Sequence, residues 1–153
     1  MCAITRATIA DAESIARLLA EAFASYRALY TPAGFAATTP TAEVIASRMH
    51  EGPTWISGSV ATLSAIAKGK DLYLRSMAVH PRVRGRGIGA QLLEIAERFA
   101  HDHGYGDLVL STTPFLDRAI ALYEHYGFVR TVEPPDDLFG TPLFTMRKTI
   151  QTR

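Results

Sequence analysis

The sequence predicts an α/β domain, with a mixed, mostly antiparallel twisted sheet and helices on both faces. Three observations carry that reading. Segments of helical apolar spacing alternate with strand-like runs along the whole chain. In the middle, the strand-like run Leu72–Ala78 passes through a turn rich in Gly and Arg straight into the helical run Ala90–Phe99. Two strand-like runs, 54–57 and 60–66, flank Gly58-Ser59, which suits a two-residue hairpin turn.

Length and charge set the bounds. The 153 residues suit one domain, 1–153, long enough to bury a sizeable core. A net charge of +1 gives no global attraction to nucleic acid or to an anionic membrane. No apolar run approaches a membrane span, and the N-terminus lacks the pattern of a secretory signal. The single cysteine, Cys2, rules out an internal disulfide and argues against a Cys-based metal site. We therefore expect a cytoplasmic protein with no bound metal, and assign Cys2 no catalytic role.

The elements follow in order. Thr8 and Asp11 form a capping box before a helix over about 9–24, with Ile15, Leu18, Leu19, Ala22 and Phe23 on one face. The aromatic stretch from Ser25 to Phe35 is broken by Pro32 and Gly34 and reads as a loop over the core or an acceptor-site lid. Thr39 with Pro40 opens a second helix, stopped by Gly52-Pro53. A fourth strand spans 71–79. The helix after the glycine turn carries Ile88, Leu92, Ile95, Ala96 and Phe99 on one face and is closed by Gly104. His101 and His103, two residues apart, do not share a helix face and suggest no metal site. A fifth strand covers 107–112. Thr113-Pro114 opens a last helix that ends at Gly127. Phe128–Val132 and Leu143–Met146 close the sheet, with a turn-rich loop at Pro134–Asp137 between them.

The glycine turn carries the chemistry. The first N–H groups of a helix lack intrahelical partners and lie at the positive end of its dipole. Glycines let backbone approach a ligand closely, and Arg82, Arg84 and Arg86 add phosphate donors. No Gly-Lys-Ser/Thr follows, so this is not a nucleoside-triphosphate loop. Gly85, Gly87 and Gly89 are spaced G-x-G-x-G, not as in the dinucleotide fingerprint.

Arg84, Gly87 and Gly89 match the Arg/Gln-x-x-Gly-x-Gly/Ala acyl-CoA loop of the GNAT superfamily of N-acyltransferases, which this stretch resembles. Val79, Pro81, Leu92 and Leu93 fit its surroundings. The segment from Ala119 to Phe128 is similar to the family's Ala-x-x-Leu-Tyr-x-x-x-Gly-Phe, about thirty residues after the loop. The resemblance spans roughly residues 4–148. It implies the GNAT fold, with parallel fourth and fifth strands splayed apart and a bulge near the end of the fourth. It implies acetyl-CoA as cosubstrate and transfer of an acetyl group to a primary amine of a small molecule or peptide. Met77 and Val79, with Ala78 between them, then offer backbone groups to pantetheine. Arg84, Gly85, Arg86, Gly87, Ile88, Gly89 and Ala90 hold the pyrophosphate end, and Tyr123 protonates the departing sulfur. Tyr126 is the rival donor.

Two positions depart from the family pattern. Arg75 stands where a carboxylate that can act as base is often found, so the base is unassigned, with a water chain or the Glu133–Asp137 loop as candidates. Arg75 instead suggests an acceptor carrying an anionic group, unless Asp71 or Asp107 neutralises it. Leu116 stands where the family often has an Asn that contacts pantetheine; either Thr112 or Thr113 replaces that contact or the contact is absent. Tyr26, Arg27 and Tyr30 are acceptor-site candidates. No nucleic-acid or membrane partner is expected, and a homodimer is left open. An inactive acyl-CoA-binding module is the first alternative, and a nucleotide-binding protein of other chemistry the second.

Overall fold

The computed structural model describes residues 3–150; Cys2 lies outside them. The strands are β1 (Ile4–Arg6), β2 (Thr54–Ser57), β3 (Ala61–Lys68), β4 (Asp71–Val79), β5 (Asp107–Thr112), β6 (Val129–Arg130), β7 (Asp136–Leu138) and β8 (Thr141–Thr149). The helices are α1 (Ala12–Phe23), α2 (Pro32–Thr38), α3 (Ala42–Arg48), α4 (Ile88–Asp102) and α5 (Asp117–Tyr126). The sheet runs β1-β2-β3-β4-β5-β8-β6, and β7 pairs with β8 as a side branch. Only β4 and β5 are parallel among the described pairs; the rest are antiparallel.

Two apolar clusters hold the layers together. One joins Leu63, Leu72, Leu74 and Leu110 of the sheet to Leu92, Leu93 and Ala96 of α4 and Tyr123 of α5. The other joins Ile15, Leu18, Leu19 and Ala22 of α1 to Ile45 of α3 and Ala78 of β4. The α1 set recurs every three or four residues, which puts a single stripe on the sheet. No described helix is long and apolar enough to cross a membrane.

Several boundaries differ from the sequence reading. The aromatic stretch is structured: a 3-10 segment, Ala24–Leu29, leads to α2, capped by Thr31, whose Oγ1 accepts from Gly34 N at 3.0 Å, with Pro32 in the first turn. The next helix is capped by Thr41, not Thr39. The β2–β3 connection holds three residues, because Ser57 pairs with Ala61. The last helix begins at Asp117, since Thr113–Leu116 forms a turn (Leu116 N to Thr113 O, 3.2 Å). Part of the turn-rich loop is β7, and the closing strand β8 runs longer than expected. The Thr8–Asp11 box is present, but it opens a 3-10 turn, Ile9–Asp11, that flows into α1.

Gly52 joins α3 to β2 where the chain crosses β3. A Cβ there would overlap the Ala65 carbonyl oxygen. That oxygen belongs to a strand interior and cannot rotate away. Gly52→Ala should therefore destabilise the protein by about 1–3 kcal/mol, as overpacking does. A urea midpoint equal to wild type would show that the crossing is looser than described.

Candidate active site

The sheet opens in its middle because two strands stop pairing. Parallel pairing of β4 with β5 is confined to Leu72↔Leu108, Tyr73↔Val109 and Leu74↔Leu110. Beyond Leu74, β4 continues beside β3 alone, and β5 continues beside β8. The β3–β4 register shifts at the same place: Thr62 faces Ala78 but Ser64 faces Arg75, so β4 has one residue too many. Ser76 sits in that gap with φ of 56°. A non-glycine residue there carries strain that the surroundings must hold.

This bulge corrects one expectation. Strict alternation would put Tyr73, Arg75, Met77 and Val79 on one face. The extra residue reverses the phase after Arg75. Met77 and Val79 pack with Leu72 and Leu74 against the α4 cluster, and Ala78 joins the α1 cluster instead. A cavity of about 870 Å³ fills the wedge between the splayed strands.

At one end of the cavity lies the glycine turn. A 3-10 turn, Pro81–Val83, follows β4, and Gly85 (φ 84°) and Gly87 (φ 79°) turn the chain into α4. Gly87 caps α4 without a side chain, so the first N–H groups of the helix face the cavity mouth uncovered. A Cβ on Gly85 or Gly87 would meet nothing within 4 Å. Gly89 has a different role: its Cβ would lie 2.7 Å from Leu122 Cδ2 and 3.3 Å from Met77 Cε, so it lets α4 close on α5 and β4. Ile88 and Ala90 also line the cavity. Arg84 lines it and donates to the Ala22 carbonyl at 3.5 Å, whereas Arg86 is exposed and off the wall.

Along the middle, Met77, Ala78 and Val79 line one side and Thr112, Thr113 and Leu116 the other. Thr112 Oγ1 is buried without a hydrogen-bond partner. Such a group costs stability unless a ligand meets it. Tyr123 also lines the cavity and is 8% exposed. Burial, then the neighbouring Tyr30 and Tyr73 phenols, pushes its pKa well above the ordinary tyrosine value. Tyr126 is elsewhere: its hydroxyl donates to Glu97 Oε1 at 2.7 Å, beside the Lys148–Glu97 ion pair.

At the far end, Tyr26 and Tyr30 come in from the 3-10 segment after α1, and Phe115 meets the Tyr30 ring edge-on with centroids 4.9 Å apart. Arg27 turns away and lies over the Phe35 ring at 5.2 Å. Arg75 lines the wall, but its partner is Glu51, not Asp71 or Asp107. Those two acids are held by Arg147, at 2.9 and 3.3 Å, and Arg147 also holds Glu133 at 2.9 Å. No Asp or Glu is among the described residues lining the cavity, so the Glu133–Asp137 loop supplies no group to its wall. Sequence reasoning missed Arg48. This last residue of α3 lines the same end and donates from Nη1 to Ser76 Oγ at 3.3 Å. Its approach to β4 is a tertiary contact that spacing does not reveal. No metal-binding cluster occurs among the described residues; His103 stacks on Phe99 instead.

Comparison with known proteins gives the family and the fold. Residues 11–128 match the acetyltransferase (GNAT) family model, and the chain belongs to that family. It is an N-acetyltransferase of the GNAT type. It is 31% identical over 134 residues to the uncharacterized N-acetyltransferase YjgM of Escherichia coli (strain K12), covering 80% of this chain and 79% of that protein. A 62-residue part is 42% identical to probable N-acetyltransferase family 8 member 5 of Mus musculus, covering 40% of this chain but only 27% of that longer protein. Among solved structures, the PaiA N-acetyltransferase of Thermoplasma acidophilum in complex with coenzyme A has a TM-score of 0.80 at 16% identity, over 97% of this chain and 99% of that one. The ribosomal-protein-S18-alanine N-acetyltransferase of Escherichia coli has a TM-score of 0.76 at 20% identity, over 100% and 96%. At these identities the structural likeness speaks for the fold.

Proposed function

We propose that the cavity binds acetyl-CoA along the open edge of β4, and that the enzyme acetylates a primary amine of a small molecule or peptide by direct attack. The observation that carries this is the order of groups along one wedge. The uncovered helix N-terminus comes first, then unpaired β4 backbone with the orphaned Thr112 hydroxyl opposite, then the Tyr123 phenol.

The residues fit the donor on their own chemistry. The open space at Gly85 and Gly87 leaves room for a diphosphate against α4 N–H groups, with Arg84 beside them. The Met77–Val79 backbone, with no strand on its β5 side, can pair with an amide-bearing arm as a strand would. Thr112 Oγ1 gains a partner there. Acetyl-CoA supplies an activated thioester carbonyl when bound. A β4 backbone N–H polarises that carbonyl. Tyr123 gives its proton to the sulfur as the C–N bond forms and the C–S bond breaks. With no carboxylate on the wall, the amine enters neutral, its surplus proton leaves to water, and Tyr123 takes a proton back from water to close the cycle.

The test is thiol release from acetyl-CoA over a panel of amines, alongside calorimetry with CoA. We expect micromolar to millimolar saturation by at least one amine and CoA binding to the protein alone. CoA binding without turnover of any amine would make the chain a binding module. Absence of CoA binding would overturn the reading of the cavity.

A further inference from the structure

The acceptor end of the cavity holds two arginines from different elements and no acid on its wall. Arg48 ends α3 and Arg75 lies on β4, one residue before the bulge. Both meet at Ser76: Arg48 binds its hydroxyl, and Arg75 is its chain neighbour. Like charges are not usually gathered beside an apolar cavity without a counter-ion, because each raises the cost of the other. Burial and then the Arg75 charge push the Arg48 guanidinium below its ordinary pKa, in keeping with that cost.

One acid does reach the pair. Glu51 binds Nη2 of Arg75 from the exposed side, outside the cavity wall. It occupies one nitrogen of the guanidinium. Arg75 Nε is buried and has no hydrogen-bond partner. A buried guanidinium N–H left unpaired is costly, and an anionic oxygen is an acceptor that offsets that cost. The aromatic rings of Tyr26, Tyr30 and Tyr73 also line the cavity.

From this arrangement we propose that Arg48 and Arg75 form an anion subsite that receives the carboxylate of the acceptor, so that the substrate class is amines carrying a carboxylate near the amino group. The inference rests on the acetyl-transfer reading for which group reacts, but the subsite stands on its own geometry. The carboxylate docks on the guanidinium pair at one end, and the amine extends toward the Tyr123 end. A second cation on the ligand is disfavoured near two fixed positive charges, which selects against polyamines.

The test compares α-amino acids with the amines left when their carboxylate is removed, such as phenylalanine with phenethylamine and tyrosine with tyramine. Binding is measured by calorimetry on the protein alone and on CoA-saturated protein, and kcat and KM are measured with acetyl-CoA. A second arm replaces the carboxylate by phosphate, with O-phosphoethanolamine against ethanolamine, to separate the two anion sources. At least one amino acid should bind about 10-fold or more tighter than its decarboxylated partner. Arg48→Gln and Arg75→Gln should each remove most of that preference and raise KM more than they lower kcat. Arg48→Lys should restore part of it, since a point charge remains. Equal or better binding of the decarboxylated amines throughout, or a preference that survives both Gln variants, overturns the subsite. A stronger preference in the phosphate arm also overturns the carboxylate assignment. The binding ratio on the protein alone is read whether or not CoA binds. Failure of the acetyl-transfer reading thus shows as lost CoA binding or turnover, and failure of the subsite as a lost ratio.

Discussion

Tyr123→Phe should lower kcat by about 10²-fold or more, with the KM for acetyl-CoA nearly unchanged. The substitution removes one hydroxyl and keeps the ring, which packs against Phe128 at 5.8 Å between centroids, so the fold should be retained. Burial raises the phenol pKa, which at first sight makes it a weaker acid. The same dry surroundings penalise a thiolate as much as a phenolate, so donor and acceptor stay matched. The sign of the shift also fixes a pH consequence. An ordinary tyrosine has lost half its protons by about pH 10. A phenol whose pKa lies above that value keeps its proton there, so kcat should not fall up to about pH 10 while the protein remains folded. An unchanged kcat in the Phe variant would move proton donation to Tyr73, Tyr30 or water.

Gly87→Asp should weaken CoA binding by roughly 10²-fold or more, because a carboxylate at a helix N-terminus occupies the place of a phosphate and repels it. The left-handed φ of Gly87 complicates any single substitution, since most side chains are strained there. Asn and Asp both tolerate this conformation better than other residues and have nearly the same shape. Gly87→Asn therefore reports the cost of bulk and strain, and the difference between the two variants reports charge. Calorimetry with CoA on both proteins, each checked for a wild-type melting profile, separates these effects. Similar affinities for the two variants would mean that no phosphate sits on the α4 N-terminus.

The glycine turn and its flanking elements were legible because their information is local. Gly85 and Gly87 adopt positive φ, and β4 and β5 begin and end at the expected residues. The Gly127 stop is local in the same way. α2 is not evident in the sequence although Thr31-Pro32 is a cap-and-proline signal of the same kind as Thr39-Pro40, because Gly34 in the first turn reads as a breaker. Its actual reason is steric, because a Cβ there would come within 2.5 Å of Thr141 Oγ1. The face reversal at Ser76 could not be read from alternation, since a bulge is a mismatch between two strands rather than a property of one. The partners of Arg75 and the presence of Arg48 depend on how α3 docks, and no spacing along β4 encodes that.

The strained Ser76 also bears on how such a cleft can persist in a changing sequence. The opening does not depend on any one large side chain holding the strands apart. It depends on a count: β4 is one residue longer than β3 allows. Substitutions can retune what lines the wedge, exchanging Arg75 or Leu116 for other groups, and leave the wedge itself in place. Loss of that extra residue would instead let the two strands zip into continuous alternation, with Met77 and Val79 still on the face of Leu72 and Leu74 but with the bulge gone. The architecture is thus tolerant of point changes and brittle to deletion, which frees the acceptor end to diversify around an unvarying gap.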